Sequence, residues 1–371
     1  GGSTDIYTQA SILDLYDPDR AKGCFSNQSE DKGEESSTRW KKIPSSDIQE
    51  KLSSLENPNR TAILTDSGFS LIRKSQLKNL SAKGVKVFSH DPVDFQNPEK
   101  SLSKSLGYNK SLRTTPDFSQ AKRVLSLDSD FLGHREPNSS VNTKQFMQGR
   151  KVLSPKDTKS MNRLYSVESD LTITGGVADH RLRLSSIETE AFAALTLRLL
   201  LETKGNKNKK LVEHLTSLSK PVDSHEKWAK ECVADLLAKP KQSLVVAGSH
   251  LPGSVHLLTY KINQVLGNES TCLKYLEIDN VGGDLSSLCE SLEKEEIDTL
   301  IFVGGNPAYH CPSVDWTSLL KKTKSAYRLG HSIDETSHLC DFHIGQSHFL
   351  ECWDIGCNWS EDTFSPTQPL L

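Results

Sequence analysis

The chain has 371 residues, of which 35% are hydrophobic and 25% charged, so it is long enough to form two domains with sizeable cores. Its 45 basic and 48 acidic residues give a formal net charge of −3, and this balance gives no reason to expect nucleic acid or an anionic membrane surface as a partner. No apolar run is long enough to cross a bilayer, so the sequence predicts no membrane span.

The eight cysteines are scattered along the chain, and none of them forms a Cys-x-x-Cys pair. Iron–sulfur clusters and structural zinc sites need closely spaced thiolates. The nearest pair, Cys352 and Cys357, supplies two ligands where four are needed. The cysteines are therefore interpreted as buried thiols.

Residues 1–45 show little periodicity and include a charged insert, Ser26 to Thr38, which predicts a mobile surface loop. A helix is predicted from Ser46 to about Leu55. A strand over 61–65, a helix over 70–82 and a strand over 85–88 follow, and this alternation predicts a parallel sheet with right-handed crossovers. Residues 89–121 are rich in Ser, Pro and Asn and are interpreted as a long connection.

Strands are next predicted over 123–127 and 163–167, and the clearest helix in the chain over 185–202. The lysine-rich stretch over 204–210 is interpreted as a solvated loop, not as a nucleic-acid site. After a helix over 226–238, a second α/β half begins at Pro240. Its predicted strands are 243–247, which ends at Gly248, then 273–276, 299–303 and 326–329, with helices over 255–266 and 285–294.

The strand over 299–303 ends abruptly in Gly304, Gly305, Asn306 and Pro307. A short apolar run bounded by turn-forming residues predicts a strand that is buried in a parallel sheet. The two glycines allow the backbone to turn at positive φ. Amides at the carboxyl end of such a strand suit phosphate or another anion, and the alternative is a tight turn that binds no ligand.

Polar groups follow several of the predicted strands, but no motif identifies a nucleophile. The sequence has no Gly-x-Ser-x-Gly, His-Glu-x-x-His, P-loop or Gly-x-Gly-x-x-Gly motif, so no catalytic residue is predicted. His331, His338, His343 and His348 are separated by 7, 5 and 5 positions. This spacing does not place ligands on one helix face, so surface or supporting roles are expected for them.

Several short sequence segments occur in a fixed order, and it is the ordered set, more than any one segment, that is specific. They are Asp17–Arg20, Trp40–Pro44, Leu164–Glu168, Thr172–Thr174, Ala178–Leu182, Gly304–Pro307, Asp334–Thr336 and Leu350–Trp353. In this order the chain resembles the large molybdopterin oxidoreductases, the formate dehydrogenase and dimethyl sulfoxide reductase group. The resemblance covers nearly the whole chain.

This resemblance implies an α/β fold with two Rossmann-like parallel-sheet lobes that face a cleft. We expect an opening segment over 1–45, a first lobe over 46–238, a second lobe over 239–350 and a closing segment over 351–371. It also implies a groove for molybdopterin guanine dinucleotide. This groove would be either a working cofactor site or a vestigial one. The residues carried over to that groove are Gly248, Gly304, Gly305, Asn306, Pro307, Glu335, Thr336, Thr174 and Asp179.

The chain departs from the family at two places. The family's cysteine cluster would end near Tyr7–Ala10, where no cysteine occurs, so no iron–sulfur cluster is expected in this module. Ser89 and His90 lie in the region of the family's metal ligand. Ser89 is a metal ligand only if the catalytic interpretation given below holds.

A closer resemblance is to a cofactor-less branch of the family, the iron–sulfur subunit of alternative complex III. The phrases that carry it are Val124–Gly133, Met161–Tyr165 and Thr174–Leu182. It implies a module without molybdenum, with iron–sulfur clusters in a downstream ferredoxin-like domain. Its partners would be the subunits of a quinol-oxidising respiratory complex at the periplasmic face of the bacterial inner membrane.

Two interpretations therefore stay open. The first is a structural module of such a respiratory complex, with no cofactor of its own. The alternative is a catalytic fragment of an oxidoreductase that binds molybdopterin guanine dinucleotide.

Overall fold

The computed structural model describes residues 4, 6–29, 39–55, 57–134, 136–279 and 282–371. It confirms the predicted α/β class. The strands are β1 (Cys24–Asn27), β2 (Trp40–Ile43), β3 (Thr61–Thr65), β4 (Lys86–Ser89), β5 (Ser111–Pro116), β6 (Arg123–Leu127), β7 (Arg163–Glu168), β8 (His180–Arg183), β9 (Ser243–Ala247), β10 (Leu273–Ile278), β11 (Thr299–Val303), β12 (Ser325–Gly330), β13 (Phe342–Gly345), β14 (Asp354–Cys357) and β15 (Phe364–Thr367).

The helices are α1 (Ile6–Ala10), α2 (Ser45–Ser53), α3 (Leu71–Ala82), α4 (Asn97–Leu106), α5 (Ser139–Gln148), α6 (Ile173–Val177), α7 (Thr189–Thr203), α8 (Lys209–Ser219), α9 (Glu226–Leu237), α10 (Gly253–Leu266), α11 (Leu285–Glu293), α12 (Pro307–His310), α13 (Trp316–Leu320) and α14 (Glu335–His338). None of the described helices is long and apolar enough to cross a membrane. The insert predicted to be a mobile loop begins inside β1, and its residues 30–38 lie outside the described part of the chain.

The chain forms two compact units, and their limits differ from the predicted lobes over 46–238 and 239–350. The central unit consists of the described parts of Gly1–Asp5 and Asp94–Asp279, and the flanking unit of those of Ile6–Val93 and Asn280–Leu371. The physical reason is strand pairing: β3 pairs with β11, and β6 pairs with β9. The sheets are thus assembled from strands that are far apart in the sequence.

The flanking unit contains a seven-stranded sheet in the order β2-β1-β13-β12-β11-β3-β4. The last five of these strands are parallel, as predicted, whereas β1 and β2 join antiparallel at one edge. On one face, Leu300 and Phe302 of β11 pack in a core cluster with Trp316 of α13. A smaller cluster around Tyr327, Ile301 and Ile48 contains residues of β12, β11 and α2.

The central unit contains a parallel four-stranded sheet in the order β8-β7-β6-β9. Helix α7 is almost entirely buried and belongs with β6, β7 and β9 to the largest core cluster. Another cluster contains Phe118, Phe131 and Phe146, and the rings of Phe118 and Phe131 stack with centroids 4.3 Å apart. Parallel strands buried on both faces are expected to consist of continuous apolar runs, as Leu244–Ala247 of β9 does.

Some elements differ from the sequence prediction. The region over 89–121 contains α4 and β5, and β5 pairs antiparallel with β10 in a separate two-stranded sheet. The polar composition of this region hides both elements, since their stability comes from packing and pairing with distant segments. The lysine-rich stretch also leads directly into α8, whose N-terminus is capped by the Asn208 side chain.

Candidate functional site

The glycine turn after β11 has the predicted backbone conformation. Gly304 and Gly305 have φ values of 69° and 60°, in the left-handed region that favours glycine. The amide of Gly304 donates to the carbonyl of Leu329 at 3.1 Å and so continues the pairing between β11 and β12. This amide is therefore not offered to an anion, which limits the predicted anion site to the amides that follow.

The carbonyls of this turn are bound by a buried arginine that the sequence prediction missed. Arg328, in the middle of β12, is only 3% exposed. Its Nη1 donates to the Gly304 carbonyl at 3.0 Å, its Nη2 donates to the Gly305 carbonyl, and Nη2 also donates to Asp334 Oδ2 at 2.7 Å. Burial acts to raise the pKa of Asp334, but the hydrogen bonds and charge of Arg328 outweigh it and the pKa is lowered.

Asn306, Glu335 and Thr336 come together as predicted, and they bind one another. Asn306 Nδ2 donates to Glu335 Oε2 at 2.6 Å, and Asn306 Oδ1 accepts from Thr336 Oγ1 at 2.6 Å. Pro307 is the first residue of α12, and its carbonyl accepts from the Trp316 indole at 3.1 Å. We call Gly304, Gly305, Asn306, Arg328, Asp334, Glu335 and Thr336 the glycine-turn cluster.

Ser89, the proposed metal ligand under the catalytic interpretation, is the last residue of β4. Its amide donates to the Gly283 carbonyl at 2.9 Å. The next residue, His90, has its Nε2 atom 2.8 Å from the Sγ atom of Cys311. Sequence inspection could not detect this pair, because its members are 221 positions apart. Among the described residues, no three His, Cys, Asp or Glu side chains converge in a way that could hold a metal ion.

Gly248 follows β9 in the central unit, and the reason for a glycine there is steric. A Cβ atom at this position would lie 2.3 Å from the backbone oxygen of Asp128, which no side chain tolerates without a backbone shift. Asp128 accepts hydrogen bonds from Ser186 Oγ at 2.5 Å and from the Ser169 amide at 3.0 Å. The Nε2 atom of His250 lies 3.4 Å from the Oδ2 atom of Asp128.

The charge of Asp128 is strongly favoured in this environment. Burial acts to raise its pKa, but the hydrogen bonds from His250, Ser186 and Ser169 outweigh this effect and lower the pKa to about 2. The nearby Glu136, which sequence analysis did not single out, behaves in the opposite way. Burial raises the pKa of Glu136 to about 7, although its Oε1 atom accepts from the Ser249 amide at 3.0 Å. Two carboxyl groups near the carboxyl ends of β6 and β9 thus have separated pKa values, a property common at functional sites.

Thr174 and Asp179 do not share a location, although the resemblance carries both over to one groove. The buried Thr174 donates from Oγ1 to Asp130 Oδ1 at 2.9 Å, just beyond the carboxyl end of β6. Asp179 accepts from the Leu164 amide at 2.8 Å and forms an ion pair with Arg150. Because Leu164 is near the beginning of β7, Asp179 lies at the opposite end of the sheet from Thr174.

Two of the histidines near the end of the chain are buried. His343 is fully buried and His348 is 2% exposed. The Nδ1 atom of His343 lies 3.0 Å from Ser337 Oγ, and burial lowers its pKa to about 4. Of the surface or supporting roles expected for these histidines, the second therefore describes His343, because Ser337 also donates to Asp334 of the glycine-turn cluster.

Comparisons with known proteins give a match of fold only. No family model matches the chain, and no curated protein matches it at a significant level. Among solved structures, the chain is similar to acetylene hydratase from Pelobacter acetylenicus, with a TM-score of 0.72 and 11% sequence identity. The match covers 98% of this chain and 60% of the acetylene hydratase chain, so this chain spans about three fifths of that protein's length.

Proposed function

We propose that this chain is a molybdopterin-oxidoreductase-like module of a membrane-bound respiratory complex that oxidises quinol, and that its role there is structural. The ordered sequence phrases support the superfamily. The fold similarity to acetylene hydratase, a molybdopterin enzyme, is consistent with it.

The observation that carries the structural role is the internal pairing of the glycine-turn cluster. Both polar atoms of the Asn306 amide are bonded to Glu335 and Thr336. The charge of Arg328 is neutralised by Asp334 within the same cluster. A groove that binds a pyrophosphate needs amides or cations that are free to meet it. Here the side chains of the predicted groove instead hold the turn and α14 in place.

The residues at this edge therefore do not fit molybdopterin guanine dinucleotide as they stand. To bind it through Asn306 or Thr336, the chain would first have to break the hydrogen bonds that these side chains make to each other. Each such bond is worth about 1 kcal/mol, and leaving a buried group unpaired costs more.

The remaining elements of the proposal come from the resemblance to alternative complex III. The module would bind the other subunits of the complex and a ferredoxin-like domain that holds the iron–sulfur clusters. It would lie on the periplasmic face of the bacterial inner membrane as a peripheral part of the assembly. In this arrangement the module contributes binding surfaces and no redox centre of its own.

The experiment that tests the proposal is elemental and cofactor analysis of protein purified from its native host. We expect molybdenum and tungsten far below one atom per chain, with no pterin fluorescence after denaturation. Molybdenum or tungsten near one atom per chain would overturn the structural role. As a control, acetylene hydratase treated in the same way should show the fluorescence of its pterin.

A second candidate is a catalytic fragment of an oxidoreductase that uses molybdopterin guanine dinucleotide, with Ser89 as metal ligand. Two observations favour it: the fold match is to a named enzyme, and the space beside Gly305 is open, with no atom within 4 Å of a Cβ placed there. The same analysis separates the candidates. Ser89→Ala should abolish metal retention in this case and should change nothing measurable in the first.

A further inference from the structure

A group of exposed apolar side chains lies on two segments of the flanking unit that are far apart in sequence. Helix α1 and the 3₁₀-helix that follows it, Ser11–Tyr16, contain no buried residue. We call the exposed side chains on 6–16 and 349–371 the acidic apolar patch. Its most prominent apolar members are Tyr7, Leu13, Tyr16, Phe349, Trp353 and Leu370, and Leu13, Tyr16 and Trp353 are at least 70% exposed.

Hydrogen bonds hold the two segments of this patch together. The Nε2 atom of His348 donates to the Ser11 carbonyl at 3.1 Å, and Arg20 forms an ion pair with Glu351. The amide of Leu370 donates to the Leu350 carbonyl at 2.8 Å, which fixes the last residues beside Phe349. The segments that present the exposed apolar groups are therefore joined to each other. Single exposed apolar residues are ordinary, whereas a connected group of this kind marks an interaction surface.

The two segments of the patch carry acidic residues and no Lys or Arg of their own, and the basic side chains that pair with them are Arg20, with Glu351, and Lys74, with Glu361. Residues 6–19 contain Asp14, Asp17 and Asp19 but no Lys or Arg, and residues 349–371 contain four acidic residues and again no Lys or Arg. The nearest basic residues in sequence to the first segment are Arg20, which is paired with Glu351, and Lys22. This segregation stands out because the whole chain has 45 basic residues for 48 acidic ones.

We infer that the acidic apolar patch is the docking surface for a partner protein that presents an apolar strip flanked by Lys and Arg. The aromatic side chains supply the rigid anchors that are typical of binding hot spots. The acidic residues select a partner of opposite charge and exclude partners of like charge. A second copy of this chain would place acidic residues against acidic residues, and an anionic membrane surface would be repelled in the same way.

The test uses the whole 371-residue chain and two model peptides, amphipathic helices made of leucine and lysine or of leucine and glutamate. Binding is measured by fluorescence anisotropy and located by hydrogen exchange. We expect the leucine–lysine peptide to bind at least about tenfold more tightly than its glutamate counterpart, with an affinity that falls as salt is added. Exchange should slow in residues 6–16 and 349–353.

Leu13→Asp and Trp353→Asp remove the apolar anchors, and each should weaken binding of the leucine–lysine peptide about tenfold. Both side chains are exposed, so neither substitution should disturb folding, which circular dichroism checks. The matched control is Ile187→Asp, because Ile187 is 91% exposed but lies in the central unit. Asp14→Asn combined with Asp17→Asn should reduce the preference for the lysine peptide without loss of the apolar contribution.

The inference fails if the two peptides bind with equal affinity, or if Leu13→Asp and Trp353→Asp weaken binding no more than Ile187→Asp does. It also fails if hydrogen exchange slows only outside residues 6–16 and 349–353. It also fails if the chain forms dimers that Leu13→Asp dissolves, or if anionic vesicles adsorb it through residues 6–16. The inference does not depend on the proposed function. Bound molybdenum would contradict that proposal and leave the docking surface standing.

Discussion

The central and flanking units each have a glycine directly after a buried parallel strand, for different physical reasons. Gly248 follows β9 because a side chain there would collide with the backbone of Asp128, whereas Gly304 and Gly305 follow β11 because the backbone turns at positive φ. Glycine after a parallel strand is therefore required by a close approach of two backbone segments in the central unit and by a turn at positive φ in the flanking unit. Neither glycine by itself indicates a ligand.

The charged groups beside these glycines also differ between the two units, in how far each ion pair is exposed to solvent. Arg328 and Asp334 are both largely buried, and their opposite charges pair with each other inside the flanking unit. In the central unit Asp128 is buried, but the side chain of its partner His250 is 57% exposed. The first pair holds a structure together, and the second presents an ionisable group to solvent.

The largest expected effect comes from breaking the buried pair with Arg328→Met. This substitution leaves Asp334 buried without its counter-charge and frees two carbonyls of the glycine turn. We expect a loss of about 3–5 kcal/mol in the free energy of unfolding, measured by urea titration. The matched control is Lys86→Met in the exposed pair with Glu296, which should have no measurable effect. Equal effects of the two substitutions would contradict the structural role of Arg328.

The two kinds of glycine are separated by comparing Gly248→Ala with Gly305→Ala. The first places Cβ 2.3 Å from the Asp128 backbone oxygen, and we expect it to destabilise the chain by about 2–3 kcal/mol. The second meets no atom within 4 Å, so only the cost of a positive φ remains, about 1 kcal/mol. Thermal unfolding gives both values. If Gly305→Ala is the more harmful substitution, the steric interpretation of Gly248 is wrong.

Glu136 tests the pH dependence of the central unit. Its pKa is about 7 in the folded chain and about 4.3 in an unfolded one. The folded state therefore holds this proton more tightly, so the stability that it contributes is complete below pH 4.3 and is lost as pH rises towards 7. Glu136→Gln should remove this decline, which we expect to be about 2–3 kcal/mol between those limits. An unchanged slope of unfolding free energy against pH would refute the assignment.

The smallest effect is expected from His250→Gln, which removes the half-exposed partner of Asp128. Exposed ion pairs contribute roughly 0.2–1 kcal/mol, and Ser186 and Ser169 continue to bond the carboxylate. The pKa of Asp128 should rise from about 2 towards its ordinary value, because one of the groups that lowers it is gone. An NMR titration of the Asp128 carboxyl carbon measures this shift, and a constant pKa would show that His250 does not act on it.

The sequence predicted about half of the helices and strands, because short apolar runs and amphipathic periods are local properties. It placed β3, β6, β9 and β11 at their observed bounds and anticipated the positive φ of Gly304 and Gly305. Through the family resemblance, it also assigned Asn306, Glu335 and Thr336 to one site. The elements that it missed include α4, β5 and α8, whose polar sequences are stabilised by packing against distant segments.

The grouping of strands into sheets was decided only by the tertiary structure. Residues 61–65 pair with 299–303, and no local pattern specifies which of several similar apolar strands will be neighbours. The same holds for Arg328, whose role depends on carbonyls and a carboxylate that meet it only after folding. The sequence by itself determined the strongly periodic elements and the glycine turn, since these follow from local sterics and periodicity. The tertiary structure decided which polar atoms meet, because those contacts join residues that only the folded chain brings together.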